Sequence, residues 1–96
     1  MLLSLYVIAV IRAAVEGKDH GTYFGSTMAL ARWRQEAWLA GFLDGAEHDS
    51  GPTAKALELY EHLNLASLPE DERAYLWRGA RDLERRAGAW VTEHAS

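Results

Sequence analysis

With 96 residues, an apolar fraction of 49%, a charged fraction of 25% and a net charge of −4, the chain has the make-up of one small globular domain rather than of a disordered or basic protein. Residues 1–51 carry 4 basic and 6 acidic side chains and residues 52–96 carry 6 and 8, so no basic half is set up for nucleic acid or anionic lipid. With no cysteine, disulfides, thiolate metal centres and cysteine nucleophiles are excluded.

Residues 2–16 read as a first helix, stopped by Gly17 where a left-handed residue is wanted. Val7, Ile8, Val10 and Ile11 are β-branched and make a strand the rival, but no other segment offers a strand to pair with. The run MLLSLYVIAVI lacks the basic start of a signal peptide and stays uncharged only to Arg12, short of the ~20 residues of a membrane span. It is therefore expected to be a buried helix of a cytoplasmic protein, with a membrane-associated segment as the alternative. The connection that follows, GKDHGTYFGST, spaces Gly17, Gly21 and Gly25 four apart. It is not a phosphate loop, because Lys18 precedes Asp19 instead of following a glycine into Ser or Thr. Tyr23 and Phe24, set between glycines, are candidate partner-binding residues, since aromatics supply large contact area at little entropic cost. The alternative is that both fold inward as a lid over one end of the domain.

Residues 26–45 read as a second helix, capped by Ser26 or Thr27. It carries two apolar stripes: Met28, Ala31, Trp38, Leu39 and Phe42 on one face, and Leu30, Trp33, Ala37, Ala40 and Gly41 nearly opposite. Such a helix needs partners on both sides, which places it at the centre of the bundle and points to a homodimer. Ala37, Gly41 and Gly45 fall four residues apart and form a smooth ridge, a candidate for self-association or for a tight internal crossing.

After the break at Glu47, His48, Asp49, Ser50 and Gly51, residues 52–64 read as a third helix opened by Pro52, with Ala56, Leu59, Tyr60 and Leu63 as its apolar stripe. Residues 68–94 read as a fourth. Ser67 and Glu70 form a capping box at its start, acidic residues 70–72 and the later Arg81, Arg85 and Arg86 complement the helix dipole, and Leu76, Ala80, Leu83, Ala87 and Trp90 form its core stripe. Arg78, Arg81 and Arg85 align opposite that stripe with Trp77 beside them, a candidate surface for an acidic partner. Asp82, four residues from Arg78 and Arg86, also allows an ordinary salt-bridged surface. Trp77, Arg78 and Gly79 resemble the WxG motif of secreted helical-hairpin proteins of about this length. In that family the motif occupies a turn between two long helices and a tyrosine-containing export signal follows. Here the tripeptide falls inside the fourth predicted helix and no tyrosine follows Tyr75, so the likeness ends at three residues.

His20, His48, His62 and His94 each follow an acidic residue, but no two lie at metal-ligand spacing on one helix, and no nucleophile or oxyanion device accompanies them. They are expected to be solvated, with no metal and no cofactor. The expectation is thus a single all-α domain spanning residues 1–96, a compact bundle of about four helices. Functionally it reads as a small acidic, non-enzymatic module that binds a larger protein as an inhibitor, antitoxin-like protein or adaptor. Small proteins of phages and mobile elements that inhibit host systems have this general character, an analogy of type alone. The alternative is a helical DNA-binding transcriptional regulator, which would need a basic recognition helix, whereas the third helix sets Lys55 against Glu58 and Glu61. A small helical enzyme would need a polar pocket that the sequence does not announce.

Overall fold

The computed structural model describes residues 3–24, 29–45 and 51–94. Among these, four α-helices carry the fold: α1 (Leu5–Val15), α2 (Leu30–Leu39), α3 (Ala54–His62) and α4 (Ala80–His94). Two short strands, β1 (Leu43–Asp44) and β2 (Gly51–Pro52), pair antiparallel with Leu43 opposite Pro52, and 3₁₀ turns occupy Leu65–Ser67 and Ala74–Leu76. The architecture is a small all-α bundle. No helix among the described residues is long and apolar enough to cross a membrane.

The helix reading of the first segment holds. Ser4 caps α1 by accepting the Tyr6 N–H, and the Glu84 carboxylate of α4 accepts the Leu5 N–H at 2.8 Å, so the positive end of α1 meets an anion from the far end of the chain. Every residue from Val7 to Ala14 is buried. That burial, about 1.5–3 kcal/mol for each large apolar side chain, outweighs the few tenths that Val and Ile cost in a helix. The central element is accordingly α1, which touches α2, α3, α4, β2 and the second 3₁₀ turn.

This corrects the expected placement of the second helix. Of α2 only Ala37 is fully buried, with Leu30, Trp33 and Ala40 half-buried against the core. The helix also stops early. Gly41 takes φ +85° and ends it in a Schellman turn, with the Phe42 N–H on the Ala37 carbonyl and the Gly41 N–H on that of Trp38. Gly45 is left-handed as well. Ala37, Gly41 and Gly45 therefore do not share a helix, and no ridge exists. Phe42 reaches the core only because the chain has turned. The carbonyls freed at the end of α2 are taken up by α3: Thr53 Oγ1 donates to Gly41 and Lys55 Nζ to Ala40, at 2.7 and 2.8 Å. Thr53 also caps α3, so Pro52 lies in β2 rather than in the first helical turn. The proposed caps Ser26 and Thr27, together with Met28, Gly25 and His48, lie outside the described residues.

The larger correction concerns residues 68–79, expected to be helical. The capping box at Ser67 does not start a helix, because the Leu68 and Pro69 carbonyls are drawn onto the Arg12 guanidinium, at 2.9 and 3.3 Å, and Pro69 favours an extended Leu68. The chain then makes the 3₁₀ turn and passes Gly79 at φ +75°, and only there does α4 begin. Trp77, Arg78 and Gly79 thus lie in a turn. The α4 core stripe keeps Leu83, Ala87 and Trp90, while Leu76 faces outward.

Candidate functional site

Arg12 is the one charge in the first fifteen residues, and its side chain is 0% exposed at the middle of the domain. Such a charge is tolerable only when paired and fully hydrogen-bonded. One helical turn on, Glu16 accepts from Arg12 Nε at 3.2 Å. The same carboxylate accepts the Tyr60 hydroxyl of α3 at 2.8 Å and the Tyr23 hydroxyl, and Lys18 Nζ lies 3.2 Å away. Lys18 also donates to the Tyr23 hydroxyl. The remaining Arg12 donors reach the Leu68 and Pro69 carbonyls, and its guanidinium lies 4.1 Å from the Tyr23 ring centre and 5.3 Å from that of Trp77. One buried ion pair thereby ties α1 to the 18–24 loop, to α3 and to the 68–77 segment.

Burial by itself would raise the Glu16 carboxyl, but donors on both oxygens, from Tyr23, Tyr60, Arg12 and Lys18, reverse it and bring Glu16 down to about 2. Burial and donation to Glu16 push Tyr60 up to about 12, and the same causes raise Tyr23. A carboxylate held ionised and tyrosines held protonated exchange no protons near neutrality. No buried side-chain N or O among the described residues lacks a partner, so the centre is closed and holds structure in place.

The structure scatters the residues singled out from the sequence. Tyr23 and Phe24 are 1% and 7% exposed and belong to the core: Tyr23 through the Arg12 centre and an edge contact with Trp77, Phe24 beside Tyr6, which also stacks near Trp33. Their expected exposure is corrected to the inward alternative. Trp77 is likewise buried, with its indole N–H on the Glu72 carbonyl at 3.1 Å. Arg78, Arg81 and Arg85 are exposed, Arg85 paired with Asp82. The reason for the Trp77 reversal is the turn it closes: a 3₁₀ helix repeats every three residues, so Ala74 and Trp77 share the inner side and Tyr75 and Leu76 are turned out. Tyr75 and Leu76 are 55% and 58% exposed, and Trp38 and Leu39, on the outer face of α2, are 52% and 64% exposed. That outer face belongs to the stripe of Met28, Ala31, Trp38 and Leu39 legible in the sequence, whereas the Tyr75–Leu76 pair is hidden when residues 68–94 are read as one continuous α-helix.

Of the histidines, His20 accepts from Arg34 Nε, and His94 stacks on Trp90 with ring centres 4.1 Å apart. Among the described residues no group of three His, Cys, Asp or Glu side chains is placed to hold a metal ion. An open pocket of about 290 Å³ is lined by Lys18, Asp19, His20, Leu30 and Arg34, mixing both signs of charge. No protein-family model, curated protein or solved structure matches the chain.

Proposed function

We propose that this protein is a non-catalytic interaction module that works in the cytoplasm by occupying a surface of a larger protein, as an inhibitor, antitoxin-like protein or adaptor. The observation that carries this reading is the pair of exposed apolar patches, Trp38 with Leu39 and Tyr75 with Leu76, on a domain whose core is otherwise closed. The charged centre supports it from the other side, since Glu16, Tyr23 and Tyr60 are all held away from proton transfer near neutrality. A DNA-binding regulator has less in its favour: α3 turns Glu58 and Glu61 to solvent beside Leu57, the wrong charge for a phosphate backbone. The same face of α2, Trp38 with Leu39, would also serve a second copy of the chain in the absence of the larger partner.

The test is cross-linked capture from the source cells with a tagged chain, beside the variants Trp38→Ser/Leu39→Ser and Tyr75→Ser/Leu76→Ser. A specific protein held by the wild type and lost from one variant of unchanged melting temperature is expected. Capture that ignores both patches, or none at all, overturns the module. Light scattering at micromolar concentration should give about twice 10.7 kDa, reduced to the monomer by the α2 variant. A wild type that stays monomeric overturns the dimer.

A further inference from the structure

The surface around the 3₁₀ turn carries a charge pattern that the rest of the protein lacks. In a chain of net charge −4, Arg73, Arg78 and Arg81 fall within nine residues, all three exposed. None makes an ion pair or side-chain hydrogen bond among the described residues, whereas Arg12, Arg85 and Arg86 do. Between the first two stand Tyr75 and Leu76, the exposed apolar pair of the turn. Acidic residues flank the stretch, 70–72 before it and Asp82 after it, but the ion pairs of Asp82 go to Arg85 and Arg86 and not to Arg78 or Arg81.

The turn is also held still. The Ala74 N–H donates to the Tyr23 carbonyl at 2.8 Å, the Trp77 indole is fixed to the Glu72 carbonyl, and the Trp77 ring lies against Tyr23 and the Arg12 guanidinium. Tyr75 and Leu76 are consequently presented outward on a fixed backbone, which lowers the ordering cost of binding. Tyrosine and arginine side by side are the residue types that most often dominate binding energy at protein contacts.

We infer that this surface docks an acidic segment of a partner protein, with carboxylates meeting Arg73, Arg78 and Arg81 and an apolar side chain seated on Tyr75 and Leu76. The inference rests on the interaction-module reading and names the partner's chemistry. The occupant is acidic because three unpaired guanidiniums require compensating anions when their surface is covered, and it is a protein segment because a bare polyanion leaves the apolar pair unused.

The experiment is fluorescence anisotropy of the full chain with a labelled peptide alternating glutamate and leucine, against the same peptide with lysine for glutamate, with serine for leucine, and against heparin. The wild type should bind the glutamate–leucine probe more tightly than either altered peptide by at least ~10-fold, about 1.4 kcal/mol. Arg78→Glu/Arg81→Glu and Tyr75→Ser/Leu76→Ser should each lose a comparable factor while keeping the wild-type melting temperature, and the affinity should fall with added salt. Absence of binding, equal binding by both variants, or heparin bound as tightly as the probe overturns the proposal, the last in favour of a polyanion site. The capture experiment separates the two levels. A partner kept by Arg78→Glu/Arg81→Glu but lost from Trp38→Ser/Leu39→Ser refutes this surface and leaves the module intact, whereas no patch-dependent partner refutes both.

Discussion

Replacing Glu16 by Gln changes the charge at the centre of the domain and little of its shape. In the fold Glu16 stands at about 2 against an ordinary 4.5, which corresponds to about 3 kcal/mol of preference for the ionised form. The amide mimics the protonated carboxyl and leaves Arg12 buried without its anion, a loss of the size expected for breaking one half of a buried pair, about 3–5 kcal/mol. A domain of this length has on the order of 5–15 kcal/mol to lose, so Glu16→Gln should remain folded at 25 °C and melt roughly 15–25 °C lower. The pH dependence makes the reasoning specific. A carboxyl depressed in the fold stabilises above its unfolded value and ceases to do so as pH falls through its folded one. The wild type should therefore lose the 3 kcal/mol between about pH 4.5 and pH 2, while the Gln variant has nothing to lose at that site. Urea unfolding followed by circular dichroism at pH 7, 5, 3.5 and 2 would show a constant gap above pH 5 that has nearly closed at pH 2. A gap below ~1 kcal/mol at pH 7, or one that does not change with pH, refutes the ionised, four-donor carboxylate.

Tyr60→Phe removes one donor from Glu16 and should cost about 1.5–2 kcal/mol in urea unfolding at pH 7. Because Tyr60 is raised from 10.0 to about 12 in the fold, its contribution is complete below pH 10 and is lost as pH rises towards 12, so the alkaline unfolding limb should flatten in the Phe variant; an identical limb would contradict the bond to Glu16. Tyr23→Ala should cost about 3–5 kcal/mol, as expected for a ring buried between Arg12 and Trp77, and a loss under ~1 kcal/mol would return the ring to the surface. Gly79→Ala meets no atom within 4 Å but must hold φ +75°, so its cost of about 1 kcal/mol is purely that of the backbone, measurable as a small shift in the urea midpoint; a neutral result would mean that the turn before α4 is not left-handed.

The elements that local chemistry decides were readable before the fold was known. Gly17 follows α1 in the left-handed conformation expected of it, and the inward stripe of Ala56, Leu59 and Leu63 follows the helical period. What could not be read depends on distant residues. The capping box at Ser67 and Glu70 is a sound local signal, overruled by a guanidinium 56 residues away in sequence that takes the Leu68 carbonyl. The Arg12–Glu16 spacing is visible as an ordinary helical pair, but its meaning comes from Tyr60, 44 residues away, and from Tyr23, which looked like a loop-tip aromatic because glycines flank it. At Trp77 the register decides: a helix continuous with α4 sets the indole beside the arginines, and the break at Gly79, at φ +75°, frees the 3₁₀ turn to bury it.

These long-range ties connect the buried charge to the proposed docking surface. A domain this small fills its centre most simply with hydrocarbon, and exchanging a buried ion pair for apolar groups of equal volume often leaves stability unchanged or raised. Stability alone therefore does not account for Arg12. What hydrocarbon cannot do is hold two backbone carbonyls of an irregular segment at 2.9 and 3.3 Å and lie against the indole that follows. Arg12 does both, and the segment it fixes carries Tyr75 and Leu76 outward between Arg73 and Arg78. A helix running unbroken from residue 68 into α4, which the local sequence favours, would keep the register of Leu83, Ala87 and Trp90, and that register puts Leu76 on the core stripe and Trp77 off it, the reverse of their burial. The ion pair thus selects one of two backbone paths, and the path it selects is the one that displays an apolar, arginine-flanked surface.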